Sequence, residues 1–241
     1  MIKAVIFDLG GTLYKDNNPS KEVYRDQWNE INERGYEVDW EEYREALGKM
    51  QEELRDQHGD SVEAHQPEVP VRILFDILGL EDEVTEEDLK EIGEKFWIRF
   101  SEEKELKGGA YEVIECCKDN VEILGLISNG NKLSTYTRLE KDGLKGEFDI
   151  ILYSTGVGAT KSELKPFKIF LERTNLAGRE CMMVGNREDE DTYAKKFGMK
   201  TVLITEDKKE GDGDNSLEPD MEFKDLNRFK EAIENGDILK G

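Results

Sequence analysis

The sequence predicts an α/β fold in which a parallel β-sheet carries helices on both faces and is interrupted early by an all-helical insert. Three observations lead to this prediction. The chain opens with a short apolar run that ends at a carboxylate, and a long block of helical periodicity follows. After residue 109, strand patterns and helix patterns alternate to the end of the chain. Such alternation builds right-handed βαβ units, whose parallel strands are buried on both faces.

The first strand is predicted over residues 3–7, a run of β-branched and aromatic side chains. Residues of these types favour strands because they pack well on a pleated surface. The run stops at Asp8, and Gly10 and Gly11 then favour a tight turn. We therefore expect Asp8 at the C-terminal end of a buried strand.

Residues 15–105 predict a compact helical insert. Apolar residues recur at helical spacing over four stretches, at 20–34, 39–57, 69–79 and 85–102. Asp39 and Thr85 precede two of these stretches as N-caps, since their side-chain oxygens accept first-turn amide protons. The sequence thus predicts two domains, a core formed by residues 1–14 and 106–241 and an inserted domain formed by residues 15–105.

Beyond the insert, the pattern predicts alternating helices and strands. The predicted order is helix 110–118, strand 121–127, helix 132–141, strand 148–153, helix 165–174, strand 180–184, helix 190–197, strand 200–204 and helix 223–234. The acidic, glycine-bearing segment 206–220 is predicted to be a loop.

Composition narrows the class of function. A net charge of −22 repels nucleic acid and anionic lipid, so neither is expected as a partner. No apolar run approaches the roughly 20 residues of a membrane helix, and the N-terminal run is too short for a signal peptide. We expect a cytoplasmic protein, monomer or homodimer, that acts on a small molecule. The two histidines, His58 and His65, are predicted on the surface, so histidine chemistry is not expected.

Polar side chains follow several of the predicted strands at the edge where parallel sheets bind ligands. They are Asp8, the run Ser128-Asn129-Gly130, Lys161 and Lys165, and the oxygen-rich cluster 186–191. A carboxylate can attack phosphorus and form a covalent intermediate. A hydroxyl and an ammonium can hold the transferring oxygens, and hard oxygen ligands suit Mg²⁺. Together these groups predict a phosphoryl-transfer site.

Four segments resemble the sequence motifs of the haloacid dehalogenase superfamily. Residues 7–13 resemble its first motif, 127–130 the second, 158–161 the third and 184–191 the fourth. The likeness covers essentially the whole chain. It implies a Rossmann-like core and a hydrolase whose helical insert is a C1 cap, the lid that selects the substrate.

The resemblance also implies roles for individual residues. Asp8 would be the nucleophile, Ser128 would bind phosphoryl oxygens and Lys161 would stabilise charge. The implied substrate-binding residues are Gly11, Thr12, Asn129, Gly130 and Lys165. The implied Mg²⁺ ligands are Asp8, the backbone carbonyl of Gly10, Asn186 and Asp191. Lys165 precedes a proline, as the motif lysine usually does, so it is the alternative to Lys161.

Two departures from the motifs bear on activity. Gly10 stands where the family's phosphatases carry an aspartate that acts as general acid and base, a role that typically contributes about 10²–10⁴-fold in rate. Asn186 replaces an aspartate of the metal site and removes one negative charge. The first hypothesis is an Mg²⁺-dependent phosphatase of a small phosphorylated metabolite. The alternatives are a dehalogenase-type hydrolase acting on carbon and a catalytically impaired binding or regulatory protein.

Overall fold

The computed structural model describes residues 1–206, 217–236 and 238–239. Within this part of the chain, the strands are β1 (Ala4–Phe7), β2 (Ile123–Ser128), β3 (Ile150–Tyr153), β4 (Cys181–Gly185), β5 (Lys200–Ile204) and β6 (Met221–Phe223). They form one sheet in the order β3-β2-β1-β4-β5-β6, and every strand pair in it is parallel.

The helices of the described chain lie before, between and after these strands. The α-helices are α1 (Lys21–Glu33), α2 (Trp40–His58), α3 (Glu68–Leu78), α4 (Glu86–Glu102), α5 (Ala110–Lys118), α6 (Lys132–Lys141), α7 (Ser154–Val157), α8 (Lys165–Thr174), α9 (Glu188–Asp191) and α10 (Leu226–Glu234). Short 3₁₀ helices occur at Glu63–His65, Lys145–Glu147, Lys161–Glu163, Gly178–Glu180 and Thr192–Phe197. No helix in this part of the chain is long and apolar enough to cross a bilayer.

The sheet buries apolar side chains on both faces. Successive residues of a strand point to opposite sides, so Phe7 joins one core cluster and Ile6 joins the other. The Phe7 cluster includes Phe229 of α10, whose ring meets the Phe7 ring edge-on at 6.4 Å. The Ile6 cluster includes Phe167 of α8. Helices thus cover both faces, and the predicted α/β fold class is confirmed.

The central position of β1 determines where the polar residues meet. Phe7 pairs with Leu126 of β2 on one side and with Val184 of β4 on the other. Ser128 follows Leu126 by two residues, and Asn186 follows Val184 by two residues. These two side chains and Asp8 therefore leave the same edge of the sheet.

The insert, residues 15–105, has a hydrophobic cluster of its own. Its members include Ile31 of α1, Tyr43 of α2, Phe75 of α3 and Ile92 of α4. The chain enters and leaves the insert through two adjacent segments, which are joined by hydrogen bonds from Lys15 N to Glu105 O and from Lys107 N to Leu13 O, both 2.9 Å long. The domain boundaries predicted from the sequence stay a prediction.

The predicted helix starts in the insert agree with the structure. The Asp39 carboxylate accepts a hydrogen bond of 2.8 Å from the Glu41 amide at the start of α2. The Thr85 hydroxyl accepts one of 3.1 Å from the Asp88 amide at the start of α4. Both contacts satisfy amides that have no partner within the helix.

Two elements of the second half differ from the prediction. The helix predicted at 190–197 is the single turn α9 followed by a 3₁₀ helix, and the Thr192 hydroxyl donates a hydrogen bond to the Glu188 carbonyl in between. Such side-chain bonding to the preceding turn competes with regular helix geometry.

The last helix begins at Leu226 instead of residue 223, because residues 221–223 form β6. The Asp220 carboxylate holds this segment beside β5 by accepting a hydrogen bond of 2.8 Å from the Thr201 amide. Of the loop predicted at 206–220, residues 207–216 lie outside the described residues.

Candidate active site

A cavity of about 1080 Å³ lies between the C-terminal edge of the sheet and the insert. The core contributes to its wall Asp8, Gly10, Ser128, Asn129, Gly130, Ser134, Arg138, Lys161, Asn186, Arg187, Glu188, Asp189 and Glu190. The insert contributes Lys15, Asp16, Arg55, Asp60, His65, Trp97, Phe100 and Lys104. The cavity thus joins the residues predicted at the sheet edge to a surface of the helical insert.

The Lys161 ammonium lies between two buried carboxylates. Its Nζ is 2.8 Å from Asp8 Oδ1 and 2.6 Å from Asp191 Oδ1, and it is 3.6 Å from Glu190 Oε2. Burial alone would lower the pKa of Lys161, but Asp191, Asp8 and Glu190 together outweigh burial and raise it above its ordinary value. Lys161 is therefore a permanent cation that orients the Asp8 carboxylate at the cavity wall.

Both oxygens of Asp191 are bound by the protein. Oδ1 accepts a hydrogen bond from the Lys161 ammonium, and Oδ2 accepts one of 3.0 Å from the Arg187 amide. Asp191 is almost fully buried and does not line the cavity. In this structure the Asp191 carboxylate holds Lys161, and its assignment as a metal ligand stays a prediction.

Thr12 links Asp8 to Asn186. Its hydroxyl lies 3.0 Å from Asp8 Oδ2 and 3.2 Å from Asn186 Oδ1. The Asn186 amide approaches the backbone so closely that a Cβ at Gly11 would lie 2.2 Å from Asn186 Nδ2, and Gly11 has a φ of +80°. Only glycine fits this position without displacing Asn186.

The segment after β2 is tied to the other loops. Asn129 Oδ1 accepts a hydrogen bond of 2.9 Å from the Lys161 amide, and Asn129 Nδ2 donates one of 2.8 Å to Glu190 Oε2. The Gly130 amide donates to Ser154 Oγ at 2.9 Å. Ser128 faces the cavity at the end of β2. Asn129 therefore connects the loops that carry Lys161 and Glu190.

Three of the residues predicted to bind substrate do not line the cavity. Gly11 and Thr12 lie behind Asp8, where they shape the turn and hold the Asp8 and Asn186 side chains. Lys165 is exposed at the start of α8, while Lys161 is fully buried against Asp8. The lysine that the structure brings to Asp8 is thus Lys161.

The insert brings residues to the cavity that the sequence did not single out. Asp60 Oδ2 accepts a hydrogen bond of 3.3 Å from Asn129 Nδ2, and the His65 carbonyl accepts one of 3.1 Å from Asn131 Nδ2. His65 lies on the cavity wall, which corrects its predicted surface position. These contacts come from the loop after α2, whose sequence carries no motif that would have indicated them.

Glu190 is a buried carboxyl at the centre of this contact region. Burial raises its pKa to about 8, although the nearby Lys161 opposes the shift. Arg187 Nε lies 3.0 Å from Glu190 Oε1, on the cavity side. Within the oxygen-rich cluster predicted at 186–191, Asp191 therefore contacts Lys161, whereas Glu190 contacts Asn129 and Arg187 near the residues of the insert.

Arg138 is a further residue that sequence reasoning missed. It lies on α6, is 8% exposed, and lines the cavity next to Gly10. Burial lowers its pKa to about 10, so the guanidinium stays charged at neutral pH. The available signal was its position: Arg138 shares the buried face of α6 with Ser134, Thr135 and Leu139.

Few groups at this site can serve as ligands for a metal ion. Among the described residues, no group of three or more His, Cys, Asp or Glu side chains is arranged to hold one. The remaining oxygen donors of the predicted set are the Asp8 carboxylate, the Gly10 carbonyl and the Asn186 amide. Asp8 Oδ2 and Asn186 Oδ1 both reach the Thr12 hydroxyl, so two of these oxygens converge. They are hard oxygen ligands of the type that Mg²⁺ prefers, and together they carry a single negative charge.

The fold and this site define a class of protein. The sequence profile of the haloacid dehalogenase-like hydrolase family matches residues 2–207, and the chain belongs to that family. The resemblance stated from the motifs is thereby confirmed, and the protein is a hydrolase by family.

Among curated relatives, the chain is 26% identical over 211 residues to a ribulose-1,5-bisphosphate 5-phosphatase from Halopiger xanaduensis, covering 85% of each chain. It is 27% identical over 214 residues to a glyceraldehyde 3-phosphate phosphatase from Methanocaldococcus jannaschii, covering 86% of this chain and 87% of the relative.

Solved structures show the same fold. A 2-haloacid dehalogenase from Pseudomonas syringae superposes with a TM-score of 0.71 at 22% identity, covering 98% of this chain and all of the other. A HAD phosphatase from Thermococcus onnurineus superposes with a TM-score of 0.67 at 24% identity, covering 96% of this chain and 98% of the other. Likeness at this level of identity concerns the fold alone.

Proposed function

We propose that this protein is an Mg²⁺-dependent phosphatase that hydrolyses a small phosphorylated metabolite through an aspartyl-phosphate on Asp8. One observation carries the proposal: the Lys161 ammonium holds the Asp8 carboxylate, 2.8 Å away, at the wall of a cavity that also contains Ser128. A carboxylate oriented in this way is an activated nucleophile next to a fixed positive charge.

The reaction proceeds in two displacements. An Asp8 oxygen attacks phosphorus, so that a bond from Asp8 to phosphorus forms and the ester bond to the leaving oxygen breaks. Because residue 10 carries no carboxyl group, the leaving oxygen takes its proton from water. Water then attacks the aspartyl-phosphate, which releases inorganic phosphate and restores Asp8. Lys161 holds the Asp8 carboxylate in place for the first step, and in both steps Ser128 donates a hydrogen bond to a phosphoryl oxygen.

The metal ion would be held by Asp8, the Gly10 carbonyl and Asn186, and when bound it would neutralise charge between the carboxylate and the phosphate. Asp191 contributes to this arrangement indirectly, by positioning Lys161. With only one carboxylate among the donors, we expect weak Mg²⁺ affinity.

The substrate class follows from the relatives and the cavity. The two curated relatives described above are named for phosphate esters of a pentulose and a triose. The cavity, at about 1080 Å³, accommodates molecules of that size, and residues of the insert form part of its wall. We infer that residues 15–105 act as the cap that selects such a substrate.

A substrate panel tests the proposal. Triose phosphates, pentose phosphates and an aryl phosphate are assayed for phosphate release with Mg²⁺ or with a chelator, for the wild type and for Asp8→Asn. Release that needs Mg²⁺ and Asp8 is the expected result. Absence of turnover on every substrate and at every pH between 5 and 9 would favour the catalytically impaired alternative instead.

A second function, hydrolysis at carbon, is favoured by one observation. The carboxylate Asp191 is held by Lys161, and the amide Asn186 stands in the metal-ligand position, so the site provides little charge for a metal. Halide release from a short 2-haloacid in the presence of chelator would support this function over the first.

A further inference from the structure

Arg138 is a buried cation without a partner among the residues that the structure describes. Its side chain is 8% exposed, and its Nε is buried without a hydrogen bond. Nothing in the described part of the chain forms a hydrogen bond or an ion pair with its guanidinium. Leaving a buried charge uncompensated is costly, so proteins normally pair such groups with a carboxylate.

The guanidinium faces the space in front of Asp8. Its Nη1 lies 3.6 Å from the point that a Cβ at Gly10 would occupy, and both residues line the cavity. The carboxylates whose charges act on it are Asp8 and Asp16. Because Gly10 has no side chain, the approach from the cavity to Nη1 is open.

The charges around Asp8 indicate what would complete this arrangement. The Lys161 ammonium is already shared by Asp8 and Asp191, so its charge is balanced within the protein. A phosphate ester that approaches Asp8 brings about two further negative charges at neutral pH. Arg138 is a cation at this cavity wall, and no carboxylate of the described chain forms an ion pair with it. The planar guanidinium presents N–H donors in a geometry that matches phosphate oxygens.

We propose that Arg138 binds the phosphoryl oxygens of the substrate, and of the phosphate product, in front of Asp8. This inference rests on the proposed phosphatase function and adds to it a binding residue outside the four sequence motifs. It also explains Gly10 in physical terms. A carboxylate at position 10 would pair with Arg138 and remove it from the substrate.

The first experiment changes the charge beside Arg138 without changing Arg138. Gly10→Asp and Gly10→Asn differ only in charge, and the 3.6 Å spacing leaves ordinary room for a Cβ. Binding of inorganic phosphate is measured by titration calorimetry with Mg²⁺ present. Gly10→Asp should bind phosphate about 10- to 100-fold more weakly than Gly10→Asn, the value of a charged hydrogen bond, because only the aspartate can form an ion pair with Arg138. Equal binding by the two variants would overturn the proposal.

The second experiment removes the guanidinium. Arg138→Met should weaken phosphate binding by about 10- to 100-fold and at the same time raise the melting temperature by about 2–5 °C, because a buried unpaired charge is removed. Arg173→Met, at an exposed site on α8, is the matched control and should change neither quantity. A residue with a purely structural role would instead lower the melting temperature and leave phosphate affinity unchanged, which would refute the inference.

Arg138→Lys covers the case in which the methionine variant does not fold. It retains the charge but loses the fork of donors, so phosphate affinity should fall about threefold to tenfold with folding intact. Wild-type affinity in this variant would count against the proposal.

Failure of this inference differs from failure of the proposed function. Phosphate binding that depends on Arg138, with no ester hydrolysis by the wild type, would retain the binding site and reject the phosphatase. Hydrolysis that depends on Asp8, with phosphate affinity unaffected by Arg138→Met, would retain the phosphatase and reject the role of Arg138.

Discussion

Two arginines, one in the insert and one in the core, differ in whether carboxylates of the protein compensate their charge. Arg34 at the end of α1 lies 2.7 Å from Glu30 and 2.5 Å from Glu91, and it also pairs with Asp88. Arg138 is more deeply buried, yet it pairs with no carboxylate of the described chain. Charges that stabilise the insert are thus satisfied within the protein, whereas a charge at the cavity wall is left for a ligand.

Lys161 is intermediate between these two cases. It is buried as deeply as any residue of the site, and its two nearest partners are the proposed nucleophile Asp8 and the buried carboxylate Asp191. In the proposed reaction this pairing has a catalytic purpose, since the ammonium holds the Asp8 carboxylate in place. The comparison therefore separates three uses of positive charge: folding, positioning and binding.

The largest expected effect follows removal of the proposed nucleophile, Asp8. Asp8→Asn should lower phosphate release by about 10³-fold or more, because the amide cannot form the covalent intermediate. Steady-state rates with the best substrate of the panel measure it. Asp119→Asn, at the exposed end of α5, is the control and should retain full activity. Residual activity above one tenth in Asp8→Asn would place the chemistry elsewhere.

The next effect separates the two candidate lysines. Lys161→Met leaves Asp8 and Asp191 buried side by side without their cation, so the unfolding free energy should fall by about 3–5 kcal/mol and activity should be lost. Lys165→Met alters an exposed side chain and should keep activity within about threefold. Denaturant unfolding and kinetic assays of both variants decide the assignment, and a larger loss in Lys165→Met would reverse it.

A smaller effect is expected from breaking the charge network of the insert. Arg34→Met should lower stability by about 1–3 kcal/mol, since it leaves Asp88 and Glu91 without their cation, and it should leave phosphate affinity unchanged. The opposite is expected for Arg138→Met, which should raise stability and weaken phosphate binding. Thermal unfolding and phosphate titration of the two variants test the contrast, which would fail if both changed stability in the same direction.

The last prediction concerns the pH dependence of stability. Burial raises the pKa of Glu190 from an ordinary 4.5 to about 8, so the folded protein holds a proton that the unfolded chain releases in this range. Stability must then fall as pH rises from 5 to 8. In Glu190→Gln that contribution is absent, so the melting temperature of the wild type should decline relative to that of the variant over this range. Parallel pH profiles for the two proteins would contradict the assignment.

Much of the architecture could be read from local patterns. The first four helices and the strand before Asp8 were predicted within about two residues, because the apolar periodicity there is strong and Asp39 and Thr85 provide the caps. β6 was missed because three residues carry too little pattern, and β5 holds it in place through Thr201 and Asp220. The sequence predicts one helix over 190–197 where the structure has α9 and then a 3₁₀ helix, because elements this short carry too little pattern to be told apart.

The sequence by itself determined the order of the elements, and with it the edge at which Asp8, Ser128 and Asn186 emerge, because parallel strands end on one side of a sheet. Only the tertiary structure decided which lysine meets Asp8, that Asp191 is used to hold that lysine, and that Asp60 and His65 reach the cavity from the insert. It also decided that Arg138 is buried with no hydrogen-bond or ion-pair partner for its guanidinium in the described part of the chain. The physical reason is that pairing and burial depend on distances between residues far apart in the chain, which periodicity and spacing do not encode.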